Sequence, residues 1–267
     1  MTDLLATFHA QIRLRDRDAT PGNVIESVGL VRRNYPSDPS QAGAMIESPE
    51  GLGDDPDAAI AQQRDFFLGR GQRVEWKTYS YDPPADLGAR LSRAGFRKED
   101  DEALLLGELT VLAEAVVPQG FLVREAAGRT DHDRIAALHE LIWPGSAGTT
   151  GSFVGEQADS PGDSAAVLAL AEDDPDGAAL CAAWVRRSPG TDFAGMWGGA
   201  THPDFRGRGL YGAVLAARAR WALDRGHTLA RVDASPMSEP ILRRLGLLRV
   251  ATTVPYILDP AEALSFG

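Results

Sequence analysis

Residues 201–213 read THPDFRGRGLYGA, and this stretch decides how the rest of the sequence is interpreted. An apolar run, 193–200, comes before it, and apolar residues at helical spacing follow it until Gly226. The pattern predicts a basic, glycine-rich turn that joins a strand to the start of a helix. Gly207 and Gly209 would let a ligand approach the backbone closely, because they carry no Cβ atom.

This turn has the chemistry of a diphosphate-binding site. The first N–H groups of a helix have no partners inside it and carry roughly half a positive charge. The side chains of Arg206 and Arg208 add full positive charges beside them. Such a combination favours a bound anion of high charge. The residues predicted to contact that anion are Arg206, Gly207, Arg208, Gly209, Leu210, Tyr211 and Gly212.

One class of site that fits is the dinucleotide-binding fold. Residues 207–212 match its GxGxxG pattern, and Asp233 follows at about the expected distance of 20 residues. In that fold the apolar strand runs directly into the first glycine, whereas residues 202–206 intervene here. An NAD-dependent oxidoreductase is therefore a weak alternative. A basic surface turn without any ligand also stays open.

The same stretch resembles the acetyl-CoA signature of the GNAT N-acetyltransferase superfamily, Arg/Gln-x-x-Gly-x-Gly/Ala, with Arg206, Gly209 and Tyr211 at the defined positions. Tyr211 departs from the signature, which usually ends in Gly or Ala. Residues 241–247, ILRRLGL, resemble the family's second signature, and the resemblance extends over roughly 121–258. It implies an α/β fold (α+β in some schemes), with a mixed, mostly antiparallel sheet and flanking helices. It also implies an N-acetyltransferase whose co-substrate is acetyl-CoA.

The resemblance assigns further cofactor contacts. Gly198 and Gly199 near the end of the strand predict a bulge. In the family, a bulge at this place separates the strand from its parallel neighbour, and the thioester arm of acetyl-CoA binds the exposed backbone. The resemblance places Gly199, Ala200 and Thr201 there, and Ser235 where the family often has an asparagine.

The catalytic residues are harder to assign. Acetyl transfer to an amine requires an unprotonated amine, a donor to the oxyanion and a proton for the leaving thiolate. The family often supplies that proton from a tyrosine, and the resemblance places Leu242 at its position. Candidate substitutes or bases are Ser238, Tyr256, Asp233, Tyr211, His202 and Glu239.

Each of these candidates also has a structural explanation. Ser238 is suited to cap a helix, and Glu239 suits the first turn of one. Aromatic packing would account for Tyr211 and Tyr256. Because the usual tyrosine is missing, a non-catalytic acyl-CoA-binding or regulatory module remains an alternative to the enzyme.

The N-terminal half repeats the order of elements that follows Gly209. A helix from Pro56 to 69–71, a strand over 74–81, a short helix ending at Gly95 and an apolar run give the same order. We therefore predict two GNAT-like halves, although α/β chains also show this order by chance. Residues 1–115 form a degenerate GNAT-like domain, and 119–267 form the N-acetyltransferase domain.

The first half is expected to bind no cofactor. Its turn before the helix, 51–56, reads GLGDDP and has no Arg-x-x-Gly. Asp54 and Asp55 would repel a diphosphate. Strand fragments are predicted over 28–31 and 44–46, and a short helix over 4–11.

In the second half, the segments 165–171 and 178–186 predict a hairpin. Cys181 is the single cysteine, so an intrachain disulfide is excluded. Its apolar neighbours predict a buried position in a strand rather than a catalytic nucleophile. His132 and His139 lie on a predicted helix, but no third metal ligand accompanies them. We therefore expect that these histidines bind no metal and that they are solvated or cap a helix. The loop 144–160 is expected to contact the acceptor.

Composition excludes several classes of function. The chain has 267 residues, of which 27 are basic and 38 acidic, and its net charge is −11. This charge argues against binding to nucleic acid or to an anionic membrane. No signal peptide or membrane span is evident, so a cytoplasmic protein is expected. We expect a small-molecule or peptide amine as acceptor, and a monomer or homodimer.

Overall fold

The computed structural model describes residues 3–15, 22–146 and 162–263, and it divides into two compact units. The first unit comprises Met1–Leu104, Ala234–Pro236 and Arg249–Gly267. The second comprises Leu105–Asp233 and Met237–Leu248, and it contains the glycine-rich turn. The paired strands are mostly antiparallel and helices accompany them, which confirms the predicted fold class.

In the first unit the strands follow the order β1-β2-β3-β4-β12, and β5 pairs with β12. Among the described residues of this unit, β3 and β4 pair in parallel and the other strand pairs are antiparallel. Helix α1 continues as a π-helix over His9–Arg13. The elements are α1 (Leu4–Phe8), β1 (Asn23–Val28), β2 (Val31–Pro36), β3 (Ala44–Glu47), α2 (Pro56–Arg70), β4 (Val74–Tyr79), α3 (Leu87–Arg93), β5 (Arg97–Lys98), β12 (Leu248–Leu258) and α8 (Pro260–Ala263).

Helix α2 begins and ends where its sequence signals predict. The Asp55 carboxylate accepts a hydrogen bond from Ala58 N at 3.0 Å, and Pro56 is the first helical residue. The helix ends at Gly71, whose φ of 63° is left-handed and suits glycine. Its buried face includes Ile60 and Phe67, which join the core of this unit.

In the second unit the strands follow the order β6-β11-β10-β9-β8-β7. Strands β10 and β11 pair in parallel, whereas β7 to β10 pair in antiparallel fashion. The predicted hairpin is confirmed as β8 and β9. The elements are β6 (Glu102–Glu108), α4 (Leu109–Leu112), β7 (Phe121–Glu125), α5 (Gly128–Ile142), β8 (Ser164–Ala171), β9 (Cys181–Arg187), β10 (Phe193–Thr201), α6 (Leu210–Leu223), β11 (Leu229–Ala234) and α7 (Glu239–Arg244).

Helices α5 and α6 pack on opposite faces of this second sheet. Ile135 and Leu138 of α5 pack in one apolar cluster together with Leu168 and Trp184. Leu210 and Val214 of α6 pack in a second cluster. Its strand residues alternate along β8 and β9 with those of the first cluster and include Val167, Ala169, Cys181 and Ala183. Because alternate residues of a strand point to opposite faces, the two clusters define an α5 face and an α6 face.

Each unit contains one strand–helix–parallel strand crossover. In the first it is β3–α2–β4, and in the second it is β10–α6–β11. The predicted domains are continuous in sequence, whereas the two compact units are not. Residues 105–115 belong to the second unit, whereas β12 belongs to the first unit from Arg249 onward and pairs with β4 over 253–258.

One local prediction needs correction. The strand fragment predicted over 28–31 is wrong, because Gly29 and Leu30 form the turn between β1 and β2. Gly29 has a φ of 61°, which a continuous strand would not contain. The segment 110–120, which joins the predicted halves, contains the end of α4. Arg220 Nη2 of α6 donates to the carbonyl oxygens of Ala113 and Ala115.

Candidate functional site

The glycine-rich turn has the geometry that its sequence predicts. After β10, a single 3-10 turn covers Pro203–Phe205, and the chain then enters α6. Gly207 and Gly209 have φ values of 75° and 81°, in the left-handed region that side chains disfavour. A Cβ atom on Gly209 would also lie 3.2 Å from Cγ of Pro118.

The turn presents backbone donors without acceptors. Within the described parts of the chain, no backbone carbonyl accepts from the N–H groups of residues 207–212. Gly209, the N-cap of α6, offers no side-chain cap. Arg206 Nε donates to Thr201 O at 3.3 Å, and the Arg208 guanidinium lies 4.8 Å from the ring centroid of Phe205. The arrangement can bind an anion that brings several acceptor oxygens.

A gap opens between β10 and β11 beside this turn. Their parallel pairing covers only Phe193 to Gly195 on β10, opposite Leu229 to Arg231 on β11. Strand β10 continues to Thr201 without further pairing to β11. Backbone groups on this edge of β10 can therefore bind an extended ligand.

The predicted bulge is present in β10. Its register against β9 shifts between Trp197 and Ala200, and Gly198 has a φ of 62°. A Cβ atom on Gly198 would lie 2.2 Å from the Trp184 ring, and one on Gly199 would lie 2.8 Å from Cε2 of Tyr211. Both glycines are therefore required by close packing on either side of the strand.

Arg218 of α6 is a buried cation that bonds to β9 and β10 just before the bulge. Arg218 is only 2% exposed, and its Nη1 donates to the carbonyl oxygens of Trp184 at 3.1 Å and Trp197 at 3.3 Å. Burial raises the pKa of Tyr211, while the Arg218 charge opposes that rise. Sequence reasoning missed Arg218; the available signal was a single arginine on the apolar face of α6.

The candidate bases and acids occupy different units. Asp233, near the end of β11, and Ser238, the N-cap of α7, belong to the second unit. The Ser238 hydroxyl makes no capping hydrogen bond. Glu239 Oε1 lies 3.7 Å from Arg243 Nη1. Ser235 belongs to the Ala234–Pro236 segment of the first unit.

Tyr256 packs in the core of the first unit. It is 7% exposed and is paired with Trp76 across β4 and β12. Its hydroxyl would lie 2.2 Å from a Cβ atom on Gly88, so the glycine makes room for the phenol. This placement favours the packing explanation for Tyr256.

The histidines have structural partners. His202 Nδ1 accepts from Asp204 N at 3.3 Å and caps the 3-10 turn. His139 is not solvated as expected: it is 3% exposed and its ring lies 5.1 Å from that of Trp184. Burial lowers the pKa of His139 to about 4, so the imidazole is neutral. The expectation was wrong because the buried face of α5 includes His139 as well as Ile135 and Leu138.

Cys181 is buried in β9 as predicted, and burial raises the pKa of its thiol to about 11. Within 3–15, 22–146 and 162–263, no cluster of His, Cys, Asp or Glu could hold a metal ion. Most of the loop expected to contact the acceptor, 147–160, lies outside the described residues. No helix in the described part has the length and apolar character to span a membrane.

The fold is that of the GNAT N-acetyltransferases. A GCN5-related N-acetyltransferase from Kribbella flavida is 19% identical, with 90% of each chain covered and a TM-score of 0.67. A tandem GNAT protein from the clavulanic acid biosynthesis pathway is 16% identical, with 91% of this chain and 85% of that chain covered and a TM-score of 0.60.

A third similar structure supports the same fold. A GCN5-related N-acetyltransferase from Sphaerobacter thermophilus is 14% identical, with coverages of 86% and 77% and a TM-score of 0.62. No family model matches the sequence, and no curated protein matches it. At these identities the similarity establishes the fold.

Proposed function

We propose, from the fold shared with GNAT N-acetyltransferases, that the second unit transfers an acetyl group from acetyl-CoA to an amine. The observation that carries the proposal is that two features occur together in the second unit. The parallel pairing of β10 and β11 ends at Gly195, and the N–H groups of 207–212 have no backbone acceptors within the described residues. An extended thioester arm suits the gap, and a diphosphate suits the turn.

Each part of this site has a role in the proposal. The residues 206–212 bind the diphosphate of acetyl-CoA, and Gly199, Ala200 and Thr201 offer backbone groups to its arm. A backbone N–H on this edge of β10 stabilises the oxyanion that forms when the amine attacks the thioester. Asp233 and Ser238 are the candidates of this unit for proton transfer. Ser235 and Tyr256 belong to the first unit and stay predictions, Ser235 for a cofactor contact and Tyr256 for proton transfer.

The first unit is proposed to bind no acetyl-CoA. Its crossover has Asp55 at the N-terminus of α2, and that carboxylate accepts from Ala58 N, a donor that a diphosphate would need. Beyond the end of β4, the buried Arg13 guanidinium bonds to Asp82, which also accepts from Tyr79 N at 2.9 Å. These groups are already partnered within the unit. We expect one acetyl-CoA per chain.

A non-catalytic acyl-CoA-binding module is the second candidate. The specific observation in its favour is Leu242, which is fully buried on α7 at the position where the family often has its tyrosine. NAD-dependent redox chemistry is less well supported, because the 3-10 turn separates β10 from the glycines. A thermal-shift comparison of acetyl-CoA with NAD shows which cofactor the protein binds. A turnover assay with amines distinguishes an enzyme from a non-catalytic acyl-CoA-binding module.

The binding test uses a matched pair of glycine substitutions. Gly209 and Gly226 have φ values of 81° and 83° and lie at the two ends of α6. Valine at either position costs backbone strain, about 1–2 kcal/mol. Only Gly209→Val also places a side chain among the diphosphate donors. We expect calorimetry to give one site in the wild type, lost in Gly209→Val and kept in Gly226→Val. Two equal sites, or equal affinity in all three proteins, would contradict the proposal.

A further inference from the structure

Three side chains that can form hydrogen bonds lie on the α5 face of the second sheet, where β10 and β11 separate. Trp197 of β10 packs against the apolar cluster of that face. Gly195, two residues earlier, shares the face and is in register with Arg231 of β11, in the last parallel pair. Asp233 follows Arg231 by two residues, so it lies on the same face beside the part of the gap where the pairing has ended.

The opposite face of these two strands is closed to a polar molecule. Its side chains over 194–196 and 230–232 are apolar and at most 8% exposed: Ala194, Met196, Ala230 and Val232. Trp197, Arg231 and Asp233 are half-buried instead, so solvent reaches the α5 face of the gap. An amine that attacks a thioester in this gap therefore approaches from the α5 face, past these three side chains.

The absence of a side chain at Gly195 brings two hydrogen-bond donors together. A Cβ atom on Gly195 would lie 2.5 Å from Nε1 of Trp197 and 3.4 Å from Nε of Arg231. The indole thus folds back over Gly195, and the Arg231 Cζ lies 5.4 Å from the centroid of its ring. Both nitrogens carry a single hydrogen and can only donate. A donor of β10 and a cation of β11 therefore meet where the gap begins.

The indole N–H of Trp197 has no acceptor within the described parts of the chain. Its Nε1 is buried, and no hydrogen-bond partner is recorded for it there. A buried donor without an acceptor is costly, so an acceptor atom of a bound molecule would stabilise this place. Because the Arg231 guanidinium is adjacent, a negatively charged acceptor atom suits it best.

We propose that the acceptor of the second unit is a free amino acid, an amine that also carries a carboxylate. The inference rests on the proposed function. The carboxylate accepts from Trp197 Nε1 and from the Arg231 guanidinium, and the amine lies toward Asp233. The carboxylate takes no part in the transfer: the N–C bond forms, the C–S bond breaks, sulfur leaves as the thiolate, and the nitrogen loses one proton to solvent.

Spacing and charge restrict the acceptor to this class. Residues two apart on a strand are separated by about 6.7 Å, so Arg231 and Asp233 can contact the two ends of one small molecule. The Asp233 carboxylate would repel a dianion, which favours a carboxylate over a phosphate. An amine without an acid group would leave the Trp197 N–H without an acceptor and place a second cation beside Arg231.

The test compares amino acids with the amines that remain when their carboxylate is removed. Thiol release from acetyl-CoA is measured for the wild type with each common amino acid and its decarboxylated partner, such as phenylalanine with phenethylamine. Rates are compared at equal concentrations of unprotonated amine, because the carboxylate also changes the amine pKa. We expect at least one amino acid to exceed its partner in kcat/KM by about ten- to a hundredfold, the range for hydrogen bonds to a charged group.

Variants of the three side chains should change different quantities. Arg231→Met should raise KM for the amino acid about tenfold or more and leave KM for the decarboxylated amine unchanged, and Arg231→Lys should restore part of the preference. Trp197→Phe keeps a ring and removes the N–H, so it should weaken the same preference. Asp233→Asn should affect both acceptors alike, because both carry the amino group. If Arg231→Met does not fold, the wild type and Trp197→Phe decide.

Arg225→Met is the matched control. The Arg225 guanidinium lies 3.8 Å from the ring centroid of Trp221, whose Nε1 is also buried without an acceptor among the described residues. Arg225 follows the C-terminal end of α6, opposite to the glycine-rich turn, so this pair has the same contact away from the gap. The variant should keep the preference for the amino acid.

The outcomes distinguish this inference from the proposed function. A wild-type protein that binds no acetyl-CoA, or releases no thiol with any acceptor, would overturn both. Thiol release without a preference for amino acids, or with a preference that survives in Arg231→Met and Trp197→Phe, would overturn only the assignment of the acceptor. A preference that these two variants lose and Arg225→Met retains would establish it.

Discussion

At the scale of single residues, Asp131 fixes the start of α5. Its carboxylate accepts from Arg124, from Arg134 Nη1 at 2.9 Å and from Ala127 N at 2.7 Å. The Arg124 hydrogen bond is the main reason why the pKa of Asp131 is lowered, to about 2. Because the unfolded value is higher, about 3.9, the ionised carboxylate stabilises the fold above that pH. This stabilisation is lost as the pH falls toward 2.

Asp131→Asn should therefore lower the free energy of unfolding by about 2 kcal/mol near neutral pH. The difference from the wild type should disappear near the pKa of about 2. Urea denaturation at both pH values measures it. Asp133→Asn is the control: its side chain is 72% exposed on the same helix, so it should change stability by less than about 0.5 kcal/mol. A loss of equal size at both pH values would show that the charge is not the cause.

At the scale of elements, the bulge in β10 depends on its glycines. Gly198 and Gly29 have nearly the same φ, 62° and 61°, but only Gly198 has a neighbour where a Cβ would lie. Alanine at Gly29 should cost only backbone strain, about 1 kcal/mol. Gly198→Ala should add overpacking against Trp184, about 1–3 kcal/mol more. Chemical denaturation of the two variants tests this; equal losses would mean that the Trp184 contact is unimportant.

The sequence predicted these elements well where their signals are local. Pro56 and Gly71 limit α2 as expected, and Gly198 and Gly199 predicted the bulge because glycine is the residue that a close approach requires. Burial was predicted less well. Arg218 and His139 are polar residues whose surroundings depend on strands far away in the chain, so their types alone suggested solvent. Arg218 was missed for that reason.

At the scale of the whole molecule, the sequence could not predict which unit β6 and β12 join. Residues 105–108 of β6 follow the first half in the chain but belong to the second unit, while β12 pairs with β4. Propensity carries no information on such long-range pairing. The linear division at 115–119 therefore differs from the compact units, and two separable GNAT-like domains remain a proposal.

Two fragments of the chain test which segments make up the second unit. Fragment 120–267 lacks β6 and carries β12 without β4, so it should expose strand edges and be poorly soluble. Fragment 105–248 keeps the main segments of the second unit and should be more soluble and melt more cooperatively. Soluble yield and thermal melting compare them. A soluble, cooperatively melting 120–267 would contradict the assignment of β12 to the first unit.

The measurement that tests the central claim most directly is amine-dependent release of free thiol from acetyl-CoA. A panel of small amines and lysine peptides is assayed with the wild type, Gly209→Val and Gly226→Val. The account predicts release that depends on both acetyl-CoA and one class of amine, is abolished in Gly209→Val and is retained in Gly226→Val. Acetyl-CoA binding without thiol release for any amine would contradict the enzyme and leave an acyl-CoA-binding module.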